Sequence, residues 1–157
     1  MANIAAPGTK VVLAAKAVPA GEYALQFIGK CQASREFPGD FRAAVMNNIV
    51  SYEENVRAVL AKVVLAEADA GVVYASDAAS VKNHAVDTVD IPERLNVIAD
   101  YPIGLTREGT HPAEAEQFIR FLLSARGQQI LAQAGFTPAV SETGSVTHTS
   151  PEPAPHE

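Results

Sequence analysis

Short apolar runs and amphipathic stretches alternate along the chain. Lys10 to Ala14 (KVVLA) has the length and composition of one buried strand. A helix is expected from about Ala20 to Lys30, after the junction VPAG. SREFPGDF reads as a loop with Pro38-Gly39-Asp40 as its turn. Arg42 to Asn48 reads as a short helix and Ile49 to Tyr52 as a strand candidate. In NVRAVLAKVVLAE, residues Val56, Val59, Leu60, Val63 and Val64 form an amphipathic stripe, with Asn55 as its N-cap. Gly71 to Tyr74 predicts a strand followed by a polar turn. Val86 to Ile91 alternates and predicts another, stopped by Pro92; Leu95 to Thr106 is strand-like around IGLT. His111-Pro112 opens a long helical region in which Phe118, Phe121, Leu122 and Ala125 share a face. Ser124 recaps it, and Ile130, Leu131 and Ala134 continue an apolar face up to Gly135. The tail, residues 141–157, is polar and Pro-rich and is expected to be disordered.

Strands alternating with helices predict an α/β fold: a three-layer α/β/α lobe on a mainly parallel sheet, with C-terminal helices added. In such sheets ligands sit at the carboxyl ends of strands, against helix N-termini. Two junctions fit that position, VPAG after KVVLA and EENV after VSY. Tyr74, at the end of GVVY, is a third element there.

Composition narrows the functional classes. A chain of 157 residues with 48% hydrophobic and 19% charged residues suits one globular domain with its own core. Net charge is −6, from 12 basic and 18 acidic residues, which argues against nucleic acid as a partner. A small anion stays open, because a local cluster of N–H donors outweighs a distant negative surface. The single cysteine, Cys31, allows neither an intramolecular disulfide nor a cysteine-based zinc site, and reads as a helix-face or core residue. No run approaches a membrane span. The first residues, MANIAAPGTKVVLAAKAVPAG, lack the basic start and long apolar core of a signal peptide. The expectation is a cytoplasmic chain or one whose natural start lies upstream.

Catalytic signatures are absent: no phosphate loop, GxGxxG, GxSxG or HExxH occurs. The four histidines, His84, His111, His148 and His156, are scattered, so no metal site and no cofactor are expected. Glu53-Glu54 reads as an answer to a helix dipole, and Asp69 and Asp77 as turn formers. With no nucleophile–base pair, the chain does not read as an enzyme. What remains is an uncharged set: Ala20, Val56 and Tyr74. Ala20 and Val56 fall in the first turns of predicted helices, where backbone N–H groups have no intrahelical partner. The Tyr74 phenol adds a third donor. Together they suit a tetrahedral oxyanion held without a counter-charge. Taken singly, they read as a helix start, a core valine and a buried tyrosine.

At these residues the chain resembles the substrate-binding proteins of bacterial molybdate/tungstate ABC transporters, two-lobed proteins of the periplasmic-binding-protein type. The matching blocks are VPAGEYA, ENVRAVL, EADAGVVYASDA, YPIGLT and FIRFLLSARGQQILAQAGFTP, in that order from about Pro7 to Pro138. The first three are fairly specific to the group; the last is shared by many binding proteins of the fold. The resemblance implies that the second lobe gives two backbone amides and one tyrosine hydroxyl to the oxyanion, at Ala20, Val56 and Tyr74. It also implies a role for VPAG: Pro19 sets the turn, Gly21 allows close approach and the Ala20 amide faces the ligand.

The family's first lobe, which carries serine side chains completing the site, would precede KVVLA and has no counterpart here. The expected organisation is therefore an oxyanion-binding lobe over 7–105, helices over 106–140 that pack on the first lobe in the family, and a tail over 141–157. The implied function is a molybdate or tungstate carrier for a transporter permease, extracytoplasmic, present as a single lobe with weak or lost binding. The alternatives are a ligand-sensing domain and a structural remnant that acts as an oligomer. A homo-oligomer is expected through Phe118, Phe121, Leu122, Ile130 and Leu131, whose apolar face the missing lobe would otherwise cover.

Overall fold

The structure is a computed structural model and describes residues 2–81 and 85–139. The expected disorder of the tail, and His84, His148 and His156, lie outside the described residues. The chain divides into two compact units between Pro102 and Ile103.

The first unit is built around one strand. β1 (Val11–Ala14) is buried along its whole length, as an apolar run without a polar position requires. It lies between β2 (Ile49–Glu53) and β3 (Ala70–Gly71) in a three-stranded sheet of order β2-β1-β3, with both pairings parallel. Parallel neighbours need crossovers, and helices supply them. After β1 come α1 (Pro19–Ala33) and α2 (Phe41–Asn47); α3 (Val56–Val64) links β2 to β3, and the short α4 (Ala75–Ala79) follows β3.

The crossover from β1 to β2 and the one from β2 to β3 run in opposite directions across the sheet, so right-handed connection puts them on opposite faces. The packing follows. Val11 and Leu13 join Ala24, Phe27, Ile28 and Cys31 of α1 and Phe41 and Val45 of α2. Val12 and Ala14, pointing the other way, join Val59 of α3 and Ala68. This is the three-layer α/β/α arrangement expected from the alternation of elements, and the order reverses between β1 and β3.

The expected strand at Gly71 to Tyr74 is corrected. Its ladder holds only Ala70 and Gly71, opposite Val11 and Val12. Beyond it the chain turns into α4, with the Tyr74 carbonyl accepting from the amides of Asp77 and Ala78 at 3.1 Å each. The strands expected at Val86 to Ile91 and around IGLT do not form either. A β3 of two residues offers too short an edge for a further strand to pair on. Past it, Pro92 heads a turn, its carbonyl accepting from Leu95 and Asn96 at 2.8 and 2.9 Å.

The second unit holds α5 (Pro112–Leu123) and α6 (Ala125–Gln133). The expected recapping at Ser124 is present: its hydroxyl oxygen accepts from the Gly127 amide at 3.1 Å. Gly127 also makes the corner possible, since a Cβ there would lie 2.1 Å from the Phe121 carbonyl oxygen. Among the described residues no helix is long and apolar enough to cross a membrane.

Candidate functional site

The start of α1 is made by a residue without an amide proton and a residue without a side chain. Val18 caps the helix in extended conformation with no side-chain bond, and Pro19 follows at the first helical position. The amides of Gly21 and Glu22 both donate to the Val18 carbonyl, at 2.9 and 3.2 Å. The Ala20 amide finds no acceptor among the described residues. Gly21 does allow a close approach, and the approach is to the end of β1: a Cβ there would sit 2.2 Å from the Ala15 carbonyl oxygen and 2.4 Å from that of Ala14. The glycine therefore docks the helix N-terminus against the strand it follows.

The start of α3 is capped as expected, with Asn55 Oδ1 accepting from the Ala58 amide at 3.0 Å. Val56, the first helical residue, likewise has no acceptor for its amide among the described residues. Tyr74 stands three residues past β3 and is half-buried. Its ring meets Tyr23 of α1 and Tyr101 edge-on, each with centroids 6.3 Å apart. Burial pushes its hydroxyl above the ordinary tyrosine range, followed by the neighbouring Tyr101. Tyr74 is thereby kept a neutral donor.

All three residues thus stand at the carboxyl end of the sheet, each just past one of its three parallel strands. Ala20, Val56 and Tyr74 pack into one apolar cluster with Val12 and Ala14. Ala20 and Tyr74 also line a common pocket of about 40 Å³, at the point where the strand order reverses. That is room for a few water-sized groups. Its other walls include Tyr23, Phe27 and Asn96, and no ionisable carboxylate, amine or guanidinium lines it. Val56 does not line this pocket.

Other expectations changed with the fold. Glu53 is no simple dipole partner: it ends β2 and pairs with Lys62 of α3 at 2.7 Å, while accepting from Ser51 at 2.7 Å. Lys62 also donates to Ser51 at 3.0 Å. The strand period puts Ser51 and Glu53 on one face, which was readable; the return of Lys62 from the next helix was not. Asp69 is more than a turn former, accepting from the Lys10 amide at 2.7 Å and so fixing the entry to β1. Cys31 is a core residue, as expected, and burial pushes its thiol up. Among the described residues no cluster of metal-ligand type occurs.

Comparison with known proteins agrees with this architecture. The family model for bacterial extracellular solute-binding proteins matches residues 1–137. The molybdate-binding protein ModA of Mycobacterium bovis is 36% identical over 135 residues, covering 86% of this chain and 47% of the relative. The Bacillus subtilis lipoprotein YvgL, assigned as an ABC-transporter substrate-binding protein, is 32% identical over 123 residues, covering 78% of this chain and 43% of the relative. Among solved structures, a substrate-binding domain assigned to a molybdenum ABC transporter of Clostridium difficile superposes with a TM-score of 0.67 at 27% identity, covering 86% of this chain and 56% of that one. None of these relatives is named as an enzyme. The chain spans about half the length of the curated relatives it matches. With a family model matched over nearly all the described residues and a sheet of the corresponding fold, the chain belongs to the bacterial extracellular solute-binding proteins.

Proposed function

We propose that this chain supplies one lobe of a molybdate-type oxyanion site and serves as the solute-binding component of an ABC transporter. The observation that carries the reading is the meeting of Ala20 and Tyr74 at an uncharged pocket where the sheet order reverses. The relatives named for molybdate and molybdenum support the choice of anion. The donors are two backbone amides, of Ala20 and Val56, and the Tyr74 hydroxyl. None carries charge, so selection rests on cavity size and donor direction. A fully deprotonated tetrahedral dianion fits donors alone, and molybdate and tungstate are the proposed ligands. Protonated phosphate needs an acceptor as well, which these three groups do not provide. The working place is extracytoplasmic and the partner is a transporter permease, as the family description and the relatives' names suggest.

One lobe gives about half of a closed site, so the affinity of this chain alone is weak. Calorimetry with molybdate, tungstate, sulfate and phosphate tests the reading. Binding in the order molybdate or tungstate above sulfate above phosphate supports it; tighter phosphate binding, or no heat at millimolar ligand, overturns it. A second feature favours self-association alongside this role. Phe118, Phe121 and Ile130 on α5 and α6 are 56%, 46% and 42% exposed, and no residue of α5 is buried. We propose that this face joins a second copy of the chain.

A further inference from the structure

The sheet of the first unit ends on an open edge at β3. The Ala70 amide donates to the Lys10 carbonyl at 3.2 Å, so Ala70 turns its backbone groups toward β1. Along a strand these groups alternate in direction, so Gly71 turns its own outward. Among the described residues the N–H and C=O of Gly71 and of Val73 find no partner. A groove of about 600 Å³ runs here, lined by residues 69–75 and 86–91, far larger than the pocket of about 40 Å³ beside Ala20. Phe27 of α1 lines it, and so do Leu60 and Val63 of α3, helices that lie on opposite faces of the sheet. Residues 86–91 make no backbone hydrogen bond among the described residues. The ionisable residues of the described lining are Asp69, Asp87 and Asp90, all exposed, and no Lys, Arg or His accompanies them.

We propose that this groove takes an extended peptide segment of a partner protein, apolar at its centre and basic at its ends, as a strand added to the open edge of β3. An unpaired edge is a template for a further strand, and main-chain hydrogen bonds supply the attraction. β3 alone is too short to hold a neighbour, but a strand set in the groove has backbone groups of Gly71 and Val73 and of residues 86–91 to pair with. Apolar side chains from both helical layers meet it, so its centre is apolar on both faces, as β1 is. The three aspartates call for lysine or arginine at its ends. A run of that kind in this chain, KVVLAAK at residues 10–16, is already committed to β1, so a second copy would have to unfold to offer it. The inference does not depend on the oxyanion reading.

The test adds the capped synthetic peptide KVVLAAK to the full chain and follows amide hydrogen exchange by nuclear magnetic resonance. The expected result is slowed exchange at Gly71 and Val73, the amides of the open edge. The peptide EVVLAAE is expected to bind about 3- to 10-fold more weakly, and Asp87→Lys combined with Asp90→Lys to reverse that preference. Val73→Pro removes an edge amide and is expected to weaken binding of KVVLAAK about 2- to 10-fold, with a urea midpoint reporting on the fold. The charge reversal carries the test if that variant does not fold. No protection at millimolar peptide, protection confined to β2, or equal binding of the two peptides each overturns the proposal. So does slowing of Gly71 and Val73 that appears with rising protein concentration and no peptide, which assigns the edge to a second copy.

Discussion

At the scale of single residues, the site depends on groups that carry no charge, and one hydroxyl is the most direct handle on it. Tyr74→Phe removes one hydrogen bond to a charged acceptor and is expected to weaken molybdate binding by about 1.5–3 kcal/mol, read by calorimetry, with the denaturation midpoint little changed. Glu53 answers a different question, that of acid stability. The hydrogen bond from Lys62, then that from Ser51, holds its carboxyl below the ordinary carboxylate range. A depressed folded value means that the unfolded chain takes up the proton first. The stability Glu53 contributes is therefore present above the ordinary, unfolded value and is lost as pH falls through the folded one. Urea midpoints measured from neutral to acid pH are expected to fall along that limb, and Glu53→Gln is expected to flatten it. An identical acid limb in the variant shows that the Lys62 pairing does not contribute. Ala20 and Val56 have no comparable side-chain handle, since what they offer is an amide.

At the scale of elements, the longer helices were legible, while α4, expected as a polar turn, and the sheet edge were not, for reasons that lie in the residues themselves. α3 was readable because its apolar positions recur with helical spacing and Asn55 stands where a cap belongs. Asn55→Ala is expected to cost about 1 kcal/mol in chemical denaturation, from the loss of the bond to the Ala58 amide. β1 was readable because a strand buried on both faces is apolar throughout. GVVY looked equally strand-like, but strand propensity is satisfied only if a neighbour supplies a ladder. The ladder stops at Gly71, where a Cβ would lie 2.7 Å from Val59, and the chain then enters α4. The alternation in Val86 to Ile91 failed for the same reason, since periodicity names a face and cannot name a partner. The junction at VPAG was legible as chemistry more than as geometry. The sequence pointed to an unpaired amide at Ala20, while the contact between Gly21 and the end of β1 needed coordinates. Gly21→Ala drives a methyl group into two backbone carbonyls that no rotamer change can clear. It is expected to destabilise the chain by about 1–3 kcal/mol and to weaken molybdate binding with it, because the helix start is displaced. A variant with the parent midpoint would mean that α1 shifts freely, and that the junction does not fix the amide.

At the scale of the whole molecule, the first unit has a core and the second presents a face. The sheet packs helices on both sides, and the large side chains of its centre, Leu13, Ile28, Phe41 and Val59 among them, are fully buried. α5 and α6 instead show Phe118, Phe121, Leu123 and Ile130 to solvent, between 38% and 56% exposed, while Leu122 and Leu131 are partly covered. A fully buried side chain of this kind contributes about 1.5–3 kcal/mol over an exposed one, so several half-covered neighbours amount to a strong drive to associate. Large exposed apolar surface is unusual in a monomer. A second copy of the chain offers a self-complementary partner through a two-fold axis, and a closed pair leaves nothing over to form fibres. The expected outcome in light scattering is a mass that rises with concentration toward twice the monomer, reversibly. Phe121→Glu places a charge in the middle of the face and is expected to return the mass to that of one chain, with the molybdate response of the first unit retained. A monomer at every micromolar concentration, with the same mass in Phe121→Glu, would refute the association. It would leave the apolar face of α5 and α6 as a surface kept for some other chain.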